Sequence, residues 1–505
     1  MALQVIGVAG DEPVLKAAAA TDPCEPTYVT SEYPTTYPTT VLSTSAAPGG
    51  STVTTTVNAT VTAMATATTT VAPTACPIVP WLDGWRPKLG PVFNDPLGGY
   101  KAQTRIIHRV IKAINHAKKK STIKIASYSL DRGDVLYALR KAYDRGVHVQ
   151  VVVNKAVISG GTRSLQAKIG ANPNKKSFVV ACAGKCRKAG DGGNMHAKVY
   201  AFSRSGGAQY LMMMQSGNLT SKAVYRQWND SYAVANDKGL WDKWSLMFKQ
   251  MAHQKKTTKT RLSYTVYTHQ YTWWFERSLH ALSNQAITTT SELTSARYKT
   301  GLDPVVTRLK QIGCQAEDGY GKNGHTVVRI AAYAMFEVRG NALAKIIAAK
   351  KKAGCDIAVI MSVPGSGTYK MMTAAGVPVR SGDWMYAVRN PLTEDGLYGW
   401  GPLFYTHQKF MTLDGTWKGK STKTVWTGSE NWSAISFANE EVVITIHDDL
   451  DTYQKYFKHW NNLWSTNATH PIGYKPCFGP KSAPSVWSSS VKGANCKPPA
   501  DLSYE

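Results

Sequence analysis

The chain has 505 residues, a length that suggests two to four domains or one large duplicated domain. Hydrophobic residues make up 43% and aromatic residues 10%, which is enough for a packed core and excludes global disorder. The formal net charge is +26, because 59 Lys and Arg stand against 33 Asp and Glu. Such a charge favours phosphates, nucleic acid or an anionic membrane surface as partners. No run of 18 apolar residues occurs, so no transmembrane helix is expected.

The first part of the chain differs from the rest in charge and composition. Residues 1–84 contain one base, Lys16, and six acids, so residues 85–505 carry +31. Thr, Ala, Val, Ser and Pro dominate residues 27–75, which is typical of a stalk or linker, while the alternation of Val and Thr also allows a hairpin. We therefore expect residues 1–85 to be a Thr/Pro-rich segment or a small β module that can tether an otherwise monomeric chain.

The cysteines indicate the compartment. Residues 1–20 lack the features of a signal peptide, because the basic start is missing and acids interrupt the apolar stretch. The eight cysteines nevertheless fall into four sequential pairs, which indicates disulfides and a secreted or extracytoplasmic protein with a disulfide-tied tail over residues 471–505. Zinc binding is the rival interpretation, and the absence of a CxxC pair disfavours it. The expected pairs are Cys24/Cys76, Cys182/Cys186, Cys314/Cys355 and Cys477/Cys496.

An internal repeat organises the body of the chain. TIKIASYSL (122–130) and VHVQVVVN (147–154) flank one helical stretch, and TVVRIAAYAM (326–335) and CDIAVIMSV (355–363) flank another. Apolar strands joined by an amphipathic helix predict a right-handed βαβ unit in a sheet covered on both faces. We expect an α/β fold of two pseudo-symmetric lobes packed together, over residues 86–300 and 301–470.

Each repeat ends in an aromatic-rich helix whose apolar stripe predicts core packing. The stripe positions are Leu240, Trp241, Trp244, Met247, Phe248 and Met251 in the first repeat, and Leu450, Tyr453, Tyr456, Phe457, Trp460 and Trp464 in the second.

The sharpest pattern is an HxK triplet that occurs once in each repeat. Residues i and i+2 of a strand share a face, so each His and its Lys are expected to point into one space. A polar turn follows about twenty residues later, and an acid follows each His by 34 residues. Two unrelated strand histidines do not produce this equal spacing. The residues are His196, Lys198, Ser216, Asn218 and Asp230 in one repeat, and His407, Lys409, Ser429, Asn431 and Glu441 in the other.

These residue types suit the cleavage of a phosphodiester. The two lysines and the Asn and Ser donors can hold the phosphate oxygens, while one imidazole attacks phosphorus and forms a covalent phosphohistidine. The other imidazole can protonate the departing oxygen and then activate water or an alcohol. Asp230 and Glu441 suit the task of fixing the second ring nitrogen of the histidines. This chemistry requires no metal or cofactor.

The pattern resembles the signature of the phospholipase D superfamily, HxKxxxxD followed by GSxN, over about residues 90–465. More narrowly, the arrangement is similar to secreted phospholipase D-like proteins of actinobacteria. The first copy departs from the signature, with Ser203 in place of Asp and Gln215 in place of Gly. The second copy matches at His407, Lys409, Asp414, Gly428, Ser429 and Asn431.

The resemblance implies two phospholipase D-type lobes, with His196 as the nucleophile and His407 as the general acid and base. The sequence alone leaves the reverse assignment open. In this family the Asp of the motif, here Asp414, is a supporting residue. Its loss at Ser203 is therefore expected to affect local support more than chemistry.

Three functions are compatible with these residues. The leading one is a phospholipase D-type phosphodiesterase that hydrolyses or transfers phospholipid head groups at a membrane surface. The aromatic segment Trp384–Trp400 supports it if it is a lid or lipid-contacting loop instead of ordinary packing. The alternative is a metal-independent nuclease, which the charge of +31 favours. A binding module with a decayed site rests on Ser203 and Gln215 alone.

Overall fold

The computed structural model describes residues 85–187, 193–254, 303–389, 398–466 and 468–472, together with the backbones of five further strands. Contacts divide the chain into two compact units, Met1–Pro80 and Trp81–Glu505. In the first unit, β1 (Lys16–Ala17), β2 (Thr27–Ala46) and β3 (Thr52–Val71) form an antiparallel sheet in that order. The Thr-rich segment is thus a hairpin, and its β-branched residues favour extended backbone.

The first lobe of the second unit is a seven-stranded sheet in the order β4-β11-β9-β8-β5-β6-β7. Strands β5, β6 and β7 are parallel, whereas β8, β9 and β11 pair in antiparallel fashion. Its elements are β4 (Gly90–Phe93), α1 (Tyr100–Gln103), α2 (Arg105–Asn115), β5 (Thr122–Ser127), α3 (Gly133–Asp144), β6 (His148–Asn154), α4 (Gly160–Ile169), β7 (Phe178–Cys182), β8 (Val199–Ser205), β9 (Ala208–Gln215), α5 (Ser221–Tyr225), β10 (Gln227–Trp228), β11 (Asp230–Val234) and α6 (Lys238–Ala252).

The second lobe is a ten-stranded sheet in the order β12-β13-β22-β21-β20-β15-β16-β17-β23, with β14 paired to β20. Strands β12 and β13, from the chain between the repeats, join this sheet at its edge. Its elements are β12 (Tyr264–Tyr267), β13 (Tyr271–Arg277), α7 (Pro304–Lys310), β14 (Ile312–Gly313), β15 (Val327–Met335), α8 (Glu337–Lys352), β16 (Asp356–Pro364), α9 (Ser366–Ala374), β17 (Val379–Ser381), β18 (Asp383–Arg389), β19 (Tyr398–Thr406), β20 (Lys409–Trp417), β21 (Lys420–Gly428), β22 (Glu440–His447), α10 (Leu450–Ser465) and β23 (His470–Pro471).

The two lobes repeat one topology, as the sequence repeat predicts. The order β11-β9-β8-β5-β6-β7 corresponds strand for strand to β22-β21-β20-β15-β16-β17. In each lobe a helix joins two parallel strands, and a glycine with positive φ follows that helix (Gly146 at +83°, Gly354 at +96°). The prediction of two pseudo-symmetric α/β lobes is therefore confirmed.

Apolar packing forms one core in each lobe and a third core shared by both. Strands β8, β9 and β11 of the first lobe and β20, β21 and β22 of the second contribute side chains to the shared core. Helices α6 and α10 also pack there, with Trp244 and Trp460 almost fully buried. Leu450 was expected in this core but is 51% exposed. It is the first residue of α10, and the buried residues of this helix begin at Thr452.

Two of the four expected cysteine pairs are bonded. Cys182–Cys186 has a Cα–Cα distance of 5.0 Å and Cys314–Cys355 one of 4.5 Å. The pairs Cys24/Cys76 and Cys477/Cys496 lie outside the described residues. None of the described helices is long and apolar enough to cross a membrane.

A short third sheet joins the lobes. Strand β10 of the first lobe pairs in parallel with β19, with Gln227 opposite Tyr405, and β19 pairs with β18. Of the aromatic segment Trp384–Trp400, residues 384–389 and 398–400 are strand instead of the expected loop, and residues 390–397 lie outside the described part of the chain.

Candidate active site

Both HxK histidines lie where the lobes meet. His196 lies in the extended segment just before β8, and its backbone N–H donates to the carbonyl of Glu440 in the other lobe at 3.1 Å. His407 lies between β19 and β20, and its N–H donates to the carbonyl of Trp228 at 2.9 Å. Both side chains are buried. Each histidine is therefore attached to the strand segment that leads into the acid of the opposite lobe.

The acid that holds His196 comes from the other repeat. His196 Nδ1 lies 2.8 and 2.9 Å from the two carboxylate oxygens of Glu441. The same carboxylate accepts from the hydroxyl of Ser429 and from Asn439 Nδ2 at 3.1 Å. A proton on Nδ1 leaves Nε2 as the nitrogen with the lone pair. This network thus fixes the tautomer that a nucleophilic imidazole requires.

Asp230 is likewise held by the opposite lobe. Its Oδ2 accepts from Thr427 Oγ1 at 2.5 Å and from the hydroxyl of Tyr456 at 2.8 Å. Burial raises the pKa of Asp230, and those hydrogen bonds and the positive charge of Lys409 oppose the rise. Asp230 and Glu441 are thus two acids at equivalent positions with unequal surroundings.

Each lysine lies beside its own histidine, as the i, i+2 spacing predicts. Lys198 Nζ donates to the carbonyl of His196 at 2.8 Å, and Lys409 Nζ donates to that of His407 at 2.7 Å. Both lysine side chains are buried, where a charge costs free energy unless it is paired. Two ammonium groups therefore accompany the two imidazoles at the interface.

A tyrosine at the same place in each repeat accompanies each pair. The Tyr128 ring lies 5.8 Å from the His196 ring and 5.8 Å from Lys198 Nζ. The Tyr333 ring lies 4.4 Å from the His407 ring and 4.6 Å from the Nζ of the neighbouring lysine. The motif search missed these tyrosines, although the aligned strands IASYSL and IAAYAM carry them at matching positions.

The middle residue of each triplet points away from the site. Ala197 is buried in the shared core, and Gln408 Nε2 donates to His459 Nε2 at 2.8 Å. His459 stacks on Phe93 at 4.0 Å, and burial lowers the pKa of His459 to about 3. His459 is therefore a neutral packing residue at neutral pH.

The two motif serines bind the acid-bearing strands, although the sequence assigns them to the phosphate. Ser216 Oγ accepts from the backbone N–H of Asp230 at 3.0 Å, and Ser429 Oγ accepts from that of Val442 at 3.0 Å. The neighbouring Asn431 is positioned through its carbonyl, which accepts from Arg339 Nη1 at 2.8 Å. The serine hydroxyls thus contact the acid-bearing strands, and their contact with a substrate phosphate stays a prediction.

The departures of the first copy from the signature have local explanations. Asp414 accepts from Lys423 Nζ at 2.6 Å and from the N–H of Gly321 at 2.9 Å, at the end of β20 remote from His407. In the first copy, Ser203 Oγ accepts instead from the N–H of Thr122 at 2.8 Å. Both residues thus support the end of a strand.

The glycine of the signature is needed in the second copy alone. A Cβ at Gly428 would lie 2.2 Å from the carbonyl oxygen of Val442. In the first copy, Gln215 occupies the equivalent position and is buried without displacing β11, with which it pairs. The register against the acid-bearing strand also differs, because Gln215 pairs with Ser231, one residue after Asp230, whereas Gly428 pairs with Val443, two residues after Glu441.

Among the described residues, no group of three or more His, Cys, Asp or Glu side chains is placed to hold a metal ion. Sequence reasoning missed two buried cations near the site, Arg187 and Arg339, because neither belongs to a motif.

A family of sequences matches both lobes. The family described as "Cardiolipin synthase, PLD-like domain" matches residues 110–252 and again residues 322–464, together more than half of the chain. The two matches coincide with the two HxK-bearing lobes. No curated protein matches the chain.

Several solved structures are similar at low identity. Polyphosphate kinase from Porphyromonas gingivalis is 12% identical with a TM-score of 0.44, over 76% of this chain and 53% of that one. This chain therefore spans about half of the kinase. Phosphatidylserine synthase from Haemophilus influenzae is 10% identical with a TM-score of 0.42, over 73% and 85%. Nuc from Salmonella typhimurium, a phospholipase D family member, is 17% identical with a TM-score of 0.22, over 33% and 88%. Similarities of this size say nothing about the activity of this chain.

Proposed function

Because this chain belongs to the phospholipase D superfamily, we propose that it is a phosphodiesterase that hydrolyses phospholipid head groups or transfers them to an alcohol through a covalent phosphohistidine. The observation that carries this proposal is the pair of HxK triplets at the lobe interface, with the His196 imidazole held by Glu441 of the opposite lobe.

In the first step, His196 Nε2 attacks phosphorus and forms a P–N bond, while the P–O bond to the head group breaks. His407 donates its proton to the departing oxygen. Glu441 stabilises the positive charge that develops on the imidazole ring of His196, in the way that a buried carboxylate supports a catalytic histidine.

In the second step, the now neutral His407 takes a proton from water or an alcohol, whose oxygen attacks phosphorus. The P–N bond breaks and His196 is released, so that hydrolysis or transfer is complete. Microscopic reversibility explains why one imidazole serves first as acid and then as base.

The phosphate oxygens need positive charge and hydrogen-bond donors throughout both steps. Lys198 and Lys409 supply the charge beside the two histidines, and the amide groups of Asn218 and Asn431 supply donors. The serines stay in the proposal as supports, because the Ser429 hydroxyl donates to Glu441.

Two kinds of diester compete as substrate. The matching family is described as a cardiolipin synthase, and this supports a phospholipid and transfer to an alcohol. A nuclease is the second candidate, because residues 85–505 carry +31 and phosphate neutralisation by Lys and Arg dominates nucleic-acid affinity.

The location of the protein is part of the same proposal. Cys182–Cys186 and Cys314–Cys355 support an oxidising, extracytoplasmic compartment. There the enzyme would meet the outer surface of membranes, in keeping with a phospholipid substrate.

The test offers the purified chain phosphatidylcholine vesicles, phosphatidylglycerol vesicles and plasmid DNA in parallel, each in EDTA. Head-group release or a new phosphatidyl alcohol in added ethanol supports the leading function, whereas nicking of DNA alone supports the nuclease. A double variant, His196→Asn/His407→Asn, gives the background from contaminating enzymes. No turnover of any of these diesters would contradict the proposal.

A further inference from the structure

A buried ion pair next to the site joins the two lobes. Arg187 Nε lies 3.0 and 2.8 Å from the carboxylate oxygens of Glu440, and Nη2 lies 2.6 Å from one of them. Arg187 Nη1 also donates to Gln250 in α6 at 3.4 Å. Both charged side chains are 0% exposed. We call Arg187, Glu440 and Gln250 the interlobe clamp.

The clamp is attached directly to the His196–Glu441 pair. Glu440 accepts from the backbone N–H of His196 and donates its own N–H to the carbonyl of Asn194 at 2.8 Å. The N–H of Asn194 donates to Asn439 Oδ1 at 2.8 Å, and Asn439 Nδ2 donates to Glu441. The His196 segment and the start of β22 are therefore joined residue by residue, and Arg187 holds the side chain at their centre.

A disulfide anchors the clamp in the first lobe. Arg187 directly follows Cys186, which is bonded to Cys182 at the end of β7. The five residues of this small loop are closed on themselves, so the backbone that carries Arg187 has little freedom to move. Both cysteines are buried.

Stability alone does not account for such a pair. The free-energy cost of removing two charges from water can exceed the gain from their attraction, and apolar replacements of similar volume are often neutral or stabilising. The clamp also affects the charge near the site. Arg187 neutralises Glu440, so Glu441 is left as the carboxylate whose negative charge acts on His196.

We propose that Arg187 is a positioning residue: through Glu440 it sets the register of β22 against the His196 segment, and so the hydrogen bond between His196 Nδ1 and Glu441. The Cys182–Cys186 disulfide holds Arg187 for this task. The expected effect of the clamp on turnover rests on the proposed phosphodiesterase function, whereas its expected effect on the His196–Glu441 hydrogen bond does not.

The test replaces both charges, in Arg187→Met/Glu440→Leu, so that no lone buried charge remains. The expected result is a melting temperature close to that of the native chain, a kcat lowered roughly 10- to 100-fold and a KM changed less than about threefold, since a misplaced catalytic group affects the chemical step. Arg187→Lys is the second variant, for use if the double variant does not fold. It keeps the charge without the planar fork, so a smaller loss of kcat is expected.

A readout independent of activity accompanies the kinetics. The proton between His196 Nδ1 and Glu441 is buried, and its low-field ¹H NMR resonance is identified by its loss in Glu441→Gln. This resonance is expected to shift or broaden in the double variant. A native kcat together with an unchanged resonance would overturn the proposal. If the native chain cleaves no diester, the proposed function fails, and the resonance still decides the role of the clamp.

Two controls separate positioning from general disturbance. Arg329→Met/Asp356→Leu removes an ion pair within the second lobe (2.8 Å), and should leave kcat and the resonance unchanged. Cys182→Ala/Cys186→Ala should lower kcat and move the resonance, whereas Cys314→Ala/Cys355→Ala should affect stability alone. Equal effects of the two cysteine variants on the resonance would contradict the anchoring role of the first disulfide.

Discussion

The acid of the second copy, Glu441, lies against His196 of the first copy, and its carboxylate also accepts from Ser429 and Asn439. The acid of the first copy, Asp230, instead accepts from Thr427 and Tyr456 of the second lobe, and burial raises the pKa of Asp230. The lobes share a topology, but packing them face to face gives the two acids different surroundings. Unequal environments for paired titratable groups are how enzymes separate nucleophile from acid and base.

Residues that do no chemistry also differ between the two copies. Gly428 of the second copy is replaced by Gln215, and Gln408 is replaced by Ala197. The two repeats thus share the His and Lys of the motif but differ in the residues beside them.

The largest expected effect separates the two histidines. His196→Ala and His407→Ala should each lower kcat roughly 10⁴-fold or more on a phospholipid while the fold stays intact, because both act in one reaction. An aryl diester with a good leaving group needs no general acid for the first step, so it should restore formation of the phosphoenzyme in His407→Ala alone. Unchanged activity of His407→Ala would contradict the two-histidine mechanism, and rescue of His196→Ala would reverse the roles.

The next effect separates the two acids. Glu441→Gln should lower kcat by roughly 10³-fold, because an amide at this position disturbs the tautomer of His196. Asp230→Asn should cost only about tenfold, since the raised pKa of Asp230 means that burial already favours a neutral group there. Steady-state kinetics of both variants measures this, and a larger loss in Asp230→Asn would break the proposed asymmetry.

The third effect concerns stability at the equivalent motif positions. Gly428→Ala should destabilise the chain by more than about 3 kcal/mol, because its Cβ would clash with the carbonyl of Val442. Gln215→Ala should cost less than about 1 kcal/mol, since Nε2 of this glutamine has no hydrogen-bond partner among the described residues. Denaturant unfolding checks both, and equal losses would contradict the explanation of the replaced glycine.

The fourth effect is a pH dependence of stability that the second copy carries and that is gradual, spread over several pH units. An unfolded His titrates near its usual pKa of 6.5, whereas burial lowers the pKa of native His459 to about 3. The unfolded state therefore binds the extra proton between these values, and stability falls as the pH drops below 6.5, by up to about 1.4 kcal/mol per pH unit. In the double variant His459→Phe/Gln408→Ala, the second triplet carries Ala at its middle position, as the first does at Ala197. The contribution of His459 to the slope of unfolding free energy against pH should vanish in this variant. Identical slopes of unfolding free energy against pH in both proteins would contradict it.

The fold was largely predictable because its signals are local. Apolar strand runs such as 147–154, and helix stripes ending at Gly146 and Gly354, specify βαβ units directly, and their repetition specifies two lobes. The prediction that Leu450 packs in the core was wrong, because a periodic stripe of apolar residues does not show which end of the helix extends beyond the core.

The candidate site was predictable in its composition but not in its pairing. Equal spacing of His, Lys and acid in the two repeats, with a polar turn about twenty residues after each His, identifies the residues, and their catalytic roles stay predictions. The partnership of His196 with Glu441 spans 245 positions and depends on how the lobes dock, as does the contact of Arg187 with Glu440. No periodicity within one repeat carries that information.

The central claim is that His196 attacks phosphorus while His407 serves as acid and base. The most direct measurement quenches the protein during turnover of a phospholipid labelled in its phosphatidyl part, and locates the adduct by mass spectrometry of the peptides. A phosphatidyl adduct is expected on His196 and should be absent from His196→Asn. An adduct on His407 would reverse the assignment, and turnover without any histidine adduct would contradict the covalent mechanism.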